Sequence, residues 1–565
     1  MKRTVLVLAV GFAAGCTVWA LGMEVPAGAA SPRFFSDDPI ALEPESRDAS
    51  GAKPVDVGLL YDLSYNLFVT QMRAPLNVHA RNVNTIDEVP DSSWFTNRIL
   101  PRHVSVDEAV RGPNVGAPPN PATWTVTREK AGGFAPGFTA KDANGETWFL
   151  SFDPPGSPEG ATAAMVIATK IFWTLGYNQV ETFITKVDPA HITIDPKAAM
   201  RRPNGKRTPM SRRDLQAVFD RAARNADGTY RAAAGRLLPG KVLGPFRYEG
   251  TRTDDPNDIV DHQHRRELRA LRVFGAWTNL TDLKAGNTLD TLVSVDGRSL
   301  VRHYLQDVGS TFGMGANGPH EWDEGFEFFY ERDPMLRRLA TYGFWLSPWQ
   351  TVAYKIFPAT GRFEGEALDP PAWKPHVPMR AFIEMLPDDA FWAARRVAAF
   401  DDDLIRAIVH TGAFSDAAAE QHFAAVLIQR RDTVVHAYLP AVNPIVDPRL
   451  GNDGQLRFDN AAVTAGVADA PAGYRAAWAQ FDNATGDARP LGETVAPAAV
   501  LAAPPELPTA EGVIVRADIS ATGTKVAAWQ QPVHAYFRRA GGAWALIGLD
   551  RSIGDAASPA RHNQP

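Results

Sequence analysis

Between Thr281 and Gly309 the chain reads TDLKAGN, LDTLV, a turn at Gly297, and VRHYLQDVGS. No other stretch constrains the fold as much. A short loop carrying Asp282, Lys284 and Asn287 leads into an alternating hairpin expected over Thr288–Tyr304. A second acidic loop follows, with Asp307 and Gly309. The order loop, hairpin, loop can gather these side chains around one pocket. Asp282 would accept a hydroxyl proton or orient a nucleophile, and Lys284 would reach an anionic group. Asn287 offers a neutral oxygen to a hard cation, Asp307 a charged one, and Gly309 allows the chain to turn beside it. Asp and Asn are also ordinary turn and cap residues, so Asp282 and Asn287 alone read equally well as local structure.

The surroundings decide which reading the fold allows. At 565 residues the chain has room for several domains and a large core. Its net charge of -6 offers no broad basic surface, so nucleic acid is not an expected partner. Lys2 and Arg3 precede an apolar run over Thr4–Leu21, and Ala27, Gly28 and Ala29 form a small-x-small cleavage site, which together read as a secretory signal. Export to the periplasm or cell envelope is the expectation. The sole cysteine, Cys16, follows Ala13, Ala14 and Gly15 inside that segment. It reads either as a lipid-anchor site or as a small hydrophobe that is removed with the signal. Removal leaves no thiol for a disulfide or a cysteine zinc site. No later run is long and apolar enough for a transmembrane span.

Beyond the signal segment, 1–30, residues 31–121 read as an N-terminal extension and linker. Its first part, 31–55, has the composition of a flexible leader. Within it DEVPDSSWF makes a turn anchored by Trp94 and Phe95. Residues 122–190 hold strands at Trp124–Arg128, Phe138–Lys141 and Trp148–Phe152, a helix over Gly160–Leu175 ended by Gly176, and a strand at Gln179–Ile184. Residues 191–256 read as an insert with a helix over Leu215–Ala226. A strong helix is expected over Asp261–Trp277, directly before the Asp282 loop, and 257–435 is otherwise mostly helical. Residues 436–565 form a C-terminal extension with a small β module, with strands at Gly512–Ile519, Val533–Arg538 and Trp544–Leu549. Near the helix start, His262 and His264 are too poorly phased to make a helical zinc pair. Arg265, Arg266 and Arg269 are expected in ion pairs at the surface.

The sequence of small-sheet strands, helix, long helix, DLKAGN, hairpin and DVG resembles the protein-kinase-like superfamily, near its atypical bacterial HipA-type and spore-coat-type branches. The resemblance covers roughly 122–435. A second resemblance, to a family of uncharacterised exported bacterial proteins, rests on FDPPGSPEGAT, HRRELR and NTLDTLV. The first implies an α+β fold with a two-lobed kinase-like core, a small β-rich N-lobe (122–190) and a helical C-lobe (257–435). It implies ATP and Mg²⁺ as cofactors, Asp282 and Lys284 in catalysis, and Asn287 and Asp307 as metal ligands. The loop KAGGFAPGF, with Gly132 and Gly133, would cradle phosphate through its backbone. The third strand departs from the pattern: Ser151 stands where a phosphate-binding lysine is expected, and a serine carries no charge to the phosphates. Its helical glutamate partner is also missing, with apolar Met165 at a candidate position. Loss of both members is coherent, because an unpaired buried charge is costly. Lys141 or Lys170 would be the substitute cation.

Three functions follow from this sequence. The first is an exported atypical kinase-like protein that transfers phosphate from ATP with Mg²⁺ to a protein or glycan acceptor. The second is a catalytically degenerate kinase-like scaffold or binding protein of the cell envelope. The third is a metal-assisted hydrolase. Export counts against routine ATP use, since the spaces outside the inner membrane hold little ATP.

Overall fold

The computed structural model describes residues 32–130, 135–202 and 204–551. Cys16 and the signal segment, and Gly132 and Gly133 of the glycine-rich loop, lie outside the described residues. The architecture is mixed α+β.

The extension before the first sheet carries helices α1 (Leu59–Phe68) and α2 (Val106–Arg111). Strands β1 (Trp124–Glu129), β2 (Gly137–Lys141) and β3 (Thr147–Phe152) form where alternation places them. After α3 (Gly160–Leu175) come β4 (Thr182–Val187), β5 (Ile192–Arg201), β6 (Arg207–Pro209), α4 (Arg212–Phe219) and β7 (Tyr230–Arg236). All seven strands share one sheet, in the order β4-β7-β3-β2-β1-β5-β6. The stretch expected as an insert therefore supplies three of its strands, with β7 hydrogen-bonded between β4 and β3. The expected strand at Gln179–Ile184 begins later, at Thr182, because Tyr177 and Asn178 first make bridges to Phe95 and Tyr304. The expected helix over Leu215–Ala226 starts earlier, where Ser211 and Asp214 form a capping box.

One face of the sheet buries Trp124, Phe138, Trp148, Leu150 and Phe152 against Leu215 and Phe219 of α4. The other face carries α3, which packs on β3, β4 and β7. Asp153 anchors the start of α3: its Oδ1 accepts from the Thr162 amide at 2.8 Å and its Oδ2 from the Thr162 hydroxyl at 2.9 Å. Arg231 of β7 donates to the same hydroxyl at 2.8 Å. The motif FDPPGSPEGAT is thus a helix-start clamp. At the other end Gly176 takes φ 131°, and a Cβ there would lie 2.3 Å from the Phe95 ring, so only glycine fits.

The long helix α5 (Arg266–Thr278) is shorter than expected, since His262–His264 form a separate 3₁₀ turn. His262 is held there by Asp258 at 2.8 Å. Helices α6 (Arg332–Ala340), α7 (Arg380–Ile383), α8 (Pro387–Ala398), α9 (Asp402–His410) and α10 (Ala417–Tyr438) follow. Leu268, Leu271, Phe274 and Trp277 of α5 share one apolar core with Phe391 and Val397 of α8 and with Leu427 and Val434 of α10. The arginines of HRRELR pair as expected, but in the interior. Arg266 meets Asp87 at 2.6 Å, Asp388 at 2.8 Å and Asp389 at 3.0 Å, and Arg269 meets Asp389 at 2.9 Å. Full burial of Arg265, Arg266 and Arg269 makes this a packed ionic layer; its value lies in complete pairing, because one missing partner would strand a buried charge.

The first and last described segments are packed into the body as well. The leader is a packed strap: Phe34 is buried among Phe481, Ile514, Tyr536 and Ile547, and the Ala49 amide donates to the Ser299 carbonyl at 2.8 Å. The C-terminal region is larger than the three expected strands. Residues 445–450, 455–460 and 500–502 make one sheet, and 473–481, 488–496, 514–522, 533–540 and 543–551 make a second of five strands. Trp478, Val515 and Trp529 belong to the same core cluster as α5 and α8.

Candidate functional site

The hairpin forms with strands β9 (Thr288–Val295) and β10 (Arg298–Leu305), and β8 (Lys241–Gly244) pairs on the outer side of β9. Asp296 and Gly297 at φ 49° and 79° supply its two-residue turn. Inside it, His303 and Asp290 face each other across the strands with Nδ1 and Oδ1 2.7 Å apart, and Arg252 reaches Asp290 at 3.2 Å. Trp94 stacks on the His303 ring at 3.5 Å. His303 is therefore a structural strand residue, and these contacts lock the register.

Register then decides the site. Thr288 pairs with Leu305, so the residues just outside the hairpin, Asn287 and Gln306, are neighbours. The Asn287 carbonyl accepts from the amides of Gln306 at 2.9 Å and Asp307 at 3.1 Å. The two acidic loops are joined at the backbone. A third tie runs from the Thr281 amide to the Ser310 carbonyl at 3.3 Å, and a fourth from the Phe312 amide to the Thr278 carbonyl at 2.8 Å. Asn279, in the left-handed region at φ 53°, ends α5 and turns the chain into the loop.

Within the loop, Asn287 Nδ2 donates to the Asp282 carbonyl at 2.6 Å. Its Oδ1 is the atom left for a cation. Asp307 Oδ1 accepts from the Gly309 amide at 3.1 Å, which leaves Oδ2. Two hard oxygens from neighbouring loops suit Mg²⁺, which keeps its remaining positions for phosphate and water. Lys284 Nζ clamps Asp282 at 2.7 Å and 2.9 Å. Asp282 and Lys284 thus form an ion pair, and Lys284 does not stand free as a phosphate contact.

Sequence reasoning missed the groups behind Asp282. His376 lies 3.6 Å from Asp282 Oδ1 through Nδ1, an ion-pair separation too long for a hydrogen bond, and its Nε2 meets Glu324 Oε2 at 2.7 Å. Glu324 also accepts from the Thr281 hydroxyl at 2.9 Å and lies 3.5 Å from His320, which meets Ser310 Oγ at 3.0 Å. The His376 amide donates to the Thr281 carbonyl at 2.8 Å, and the Phe329 ring stacks on the imidazole at 4.1 Å. Burial alone would push the Asp282 and Glu324 carboxyls up; His376, with Lys284 for Asp282 and with His320 for Glu324, outweighs it. Asp282 is held well below the usual carboxylate range and Glu324 at about 2. Burial lowers the His376 imidazole, but the two carboxylates win and raise it. His320, more deeply buried, falls to about 4. The His376 imidazole therefore stands between two carboxylates behind the loop, hydrogen-bonded to Glu324 and within ion-pair distance of Asp282, and both favour its charged form. The only advance signal was HVP at His376, with no spacing to tie it to Asp282.

The other expected residues separate. Lys141 is exposed at the hairpin end of β2, paired with Thr125 and Thr147. Lys170 is buried in α3, its Cγ 2.9 Å from where a Cβ on Gly112 would lie, and burial lowers its ammonium to about 8. Lys141 thus lies at the opposite end of β2 from Gly137, the partner of Ser151. Ser151 pairs with Gly137, at the end of β2 that adjoins the glycine-rich loop. Met165 of α3 packs on the Asp307 loop: a Cβ on Gly309 would lie 3.3 Å from its Cε. Among the described residues no cluster of three His, Cys, Asp or Glu side chains could hold a metal by itself, and no helix is long and apolar enough to cross a membrane.

The sequence matches no protein-family model and no curated protein. Among solved structures, the Golgi casein kinase with Mn/ADP bound is similar at 13% identity and a TM-score of 0.30, over 71% of this chain and 94% of that one. A second structure of the Golgi casein kinase gives 12% and 0.29, over 71% and 95%. The Helicobacter pylori proinflammatory kinase CtkA gives 11% and 0.31, over 57% of this chain and 96% of that one. All three likenesses are distant, to atypical protein-kinase structures.

Proposed function

We propose that this chain is an exported kinase-like protein that binds ATP with Mg²⁺ and transfers the terminal phosphoryl group to a hydroxyl of a protein or glycan acceptor. One observation carries the reading: the Asp307 amide hydrogen-bonds the Asn287 carbonyl, so the two loops that carry the candidate ligands are joined at the backbone. In this reading the seven-stranded sheet with α3 is the small lobe and the helical body the large one. Residues 31–121 and 436–565 are extensions, and Cys16 is the site of any lipid anchor. Asn287 Oδ1 and Asp307 Oδ2 would hold the cation, which neutralises the phosphates when bound. Asp282 would orient the acceptor hydroxyl and take up its proton as the hydroxyl oxygen bonds to the γ-phosphorus and the bond from that phosphorus to the β–γ bridging oxygen breaks, with ADP as the leaving group. Lys284 and the His376 imidazolium hold the carboxylate in place.

The scaffold reading has its own support. Ser151 and Met165 replace a charged pair, and Asp282 is occupied by a bidentate lysine. Heating the protein with and without ATP and Mg²⁺ or Mn²⁺ tests the first reading. Nucleotide with metal should raise the melting temperature, and Asp307→Ala should abolish the rise. Binding without phosphate transfer to any acceptor or to the chain itself favours the scaffold. No nucleotide binding overturns the phosphotransfer reading.

A further inference from the structure

We propose that Lys130 is the cation that binds the phosphates of the nucleotide, in place of the lysine that Ser151 lacks. The proposal rests on the nucleotide-binding reading above and deepens it.

The sheet register carries the argument. Glu129 pairs with Phe138 and Gly137 pairs with Ser151. Lys130, one residue beyond Glu129, therefore falls in the same cross-strand row as Gly137 and Ser151. The Lys130 Cδ lies 3.4 Å from where a Cβ on Gly137 would be. The missing side chain at Gly137 leaves the lysine stem room to lie over β2. A lysine two strands away thus projects along the row in which a lysine at 151 would stand.

The electrostatics agree. Burial pulls the Lys130 ammonium down, Asp307 is the carboxylate that pulls it back up, and Arg221 opposes. The ammonium thus lies within the field of the metal-ligand candidate. Among the described residues no carboxylate comes within ion-pairing distance of it. A half-buried ammonium without a carboxylate partner, beside an Asp that would be neutralised by a cation, suits an anion bridging the two. A phosphate chain coordinated to that cation is such an anion. The other lysines raised by the sequence are committed elsewhere: Lys284 to Asp282, Lys170 under Gly112, and Lys141 to solvent at the far end of β2.

The test is calorimetric titration of the full chain with ATP or ADP and Mn²⁺, for four proteins: wild type, Lys130→Met, Lys130→Arg, and Lys130→Met combined with Ser151→Lys. Loss of one charge-assisted phosphate contact weakens binding by roughly tenfold or more, so Lys130→Met should do this. Lys130→Arg should stay close to wild type. Ser151→Lys should recover most of the loss, which a merely structural lysine would not allow. Unchanged melting of the nucleotide-free proteins shows that the fold is intact. Wild type that binds while Lys130→Met binds equally well overturns this inference alone. Wild type that does not bind overturns it together with the nucleotide-binding reading.

Discussion

Replacing His376 with glutamine removes a charge and little volume from behind Asp282, and its effect can be worked from the structure. The fall of Glu324 from an ordinary 4.5 to about 2 corresponds to roughly 3 kcal/mol favouring the folded carboxylate. His376 is the largest favourable contributor, followed by His320 and the Glu321 amide. Its share is about 2 kcal/mol, and with a Glu324 side chain only 15% exposed, solvent screens little of it. The pH dependence follows from the imidazole. Its value is raised on folding, so its contribution is complete below the ordinary 6.5 and fades as pH climbs through the raised value. The substitution should therefore cost about 2 kcal/mol near pH 6, and less as pH rises through the raised value of the imidazole. A chain of this length need not unfold in one step, so the readout is local: hydrogen exchange of residues 279–287 and 324–330, corrected for intrinsic rates. Protection there should fall roughly thirtyfold at pH 6. Unchanged protection at pH 6, or a loss that grows toward pH 9, would refute the bridging imidazolium.

Three further outcomes follow from the same geometry. Asp290→Ala takes the carboxylate from His303 and leaves Arg252 with Asp254 alone; it should cost about 3 kcal/mol, read as raised exchange of β9 and β10, with loss of any nucleotide binding. Lys284→Met releases the Asp282 carboxylate without touching Asn287 or Asp307; nucleotide affinity should hold within about threefold while the rate of phosphate transfer falls, measured with labelled ATP. Phe34→Ala empties the apolar contact under the strap and should cost about 3 kcal/mol, seen as an earlier thermal transition and as cleavage of the leader by added protease.

The parts that could be read in advance depend on near neighbours along the chain. The bounds of α3 follow from apolar spacing and a terminal glycine, and the hairpin from alternation about Asp296-Gly297. That hairpin also made the meeting of Asn287 and Asp307 foreseeable, because an antiparallel pair must return its ends together. The errors have a common cause. The segment 31–55 looked loose because its anchor, Phe34, fills a pocket made by strands near the other terminus. The arginines of α5 looked exposed because their carboxylate partners lie on α8 and in the Asp87 turn. Which end of β2 adjoins Ser151, and so where Lys141 stands relative to it, is set by the register alone.

What the sequence determined by itself was local: strands β1–β3, helix α3, and the hairpin that joins two acidic loops. Those follow from periodicity and backbone preference, which act over a few residues. Only the folded chain decided that Asp282 is gripped by Lys284 and backed by His376 and Glu324, and that Lys130 shares a row with Ser151. Side chains distant in sequence meet there because sheet register and core packing bring them together, and charge at close range then sets their protonation.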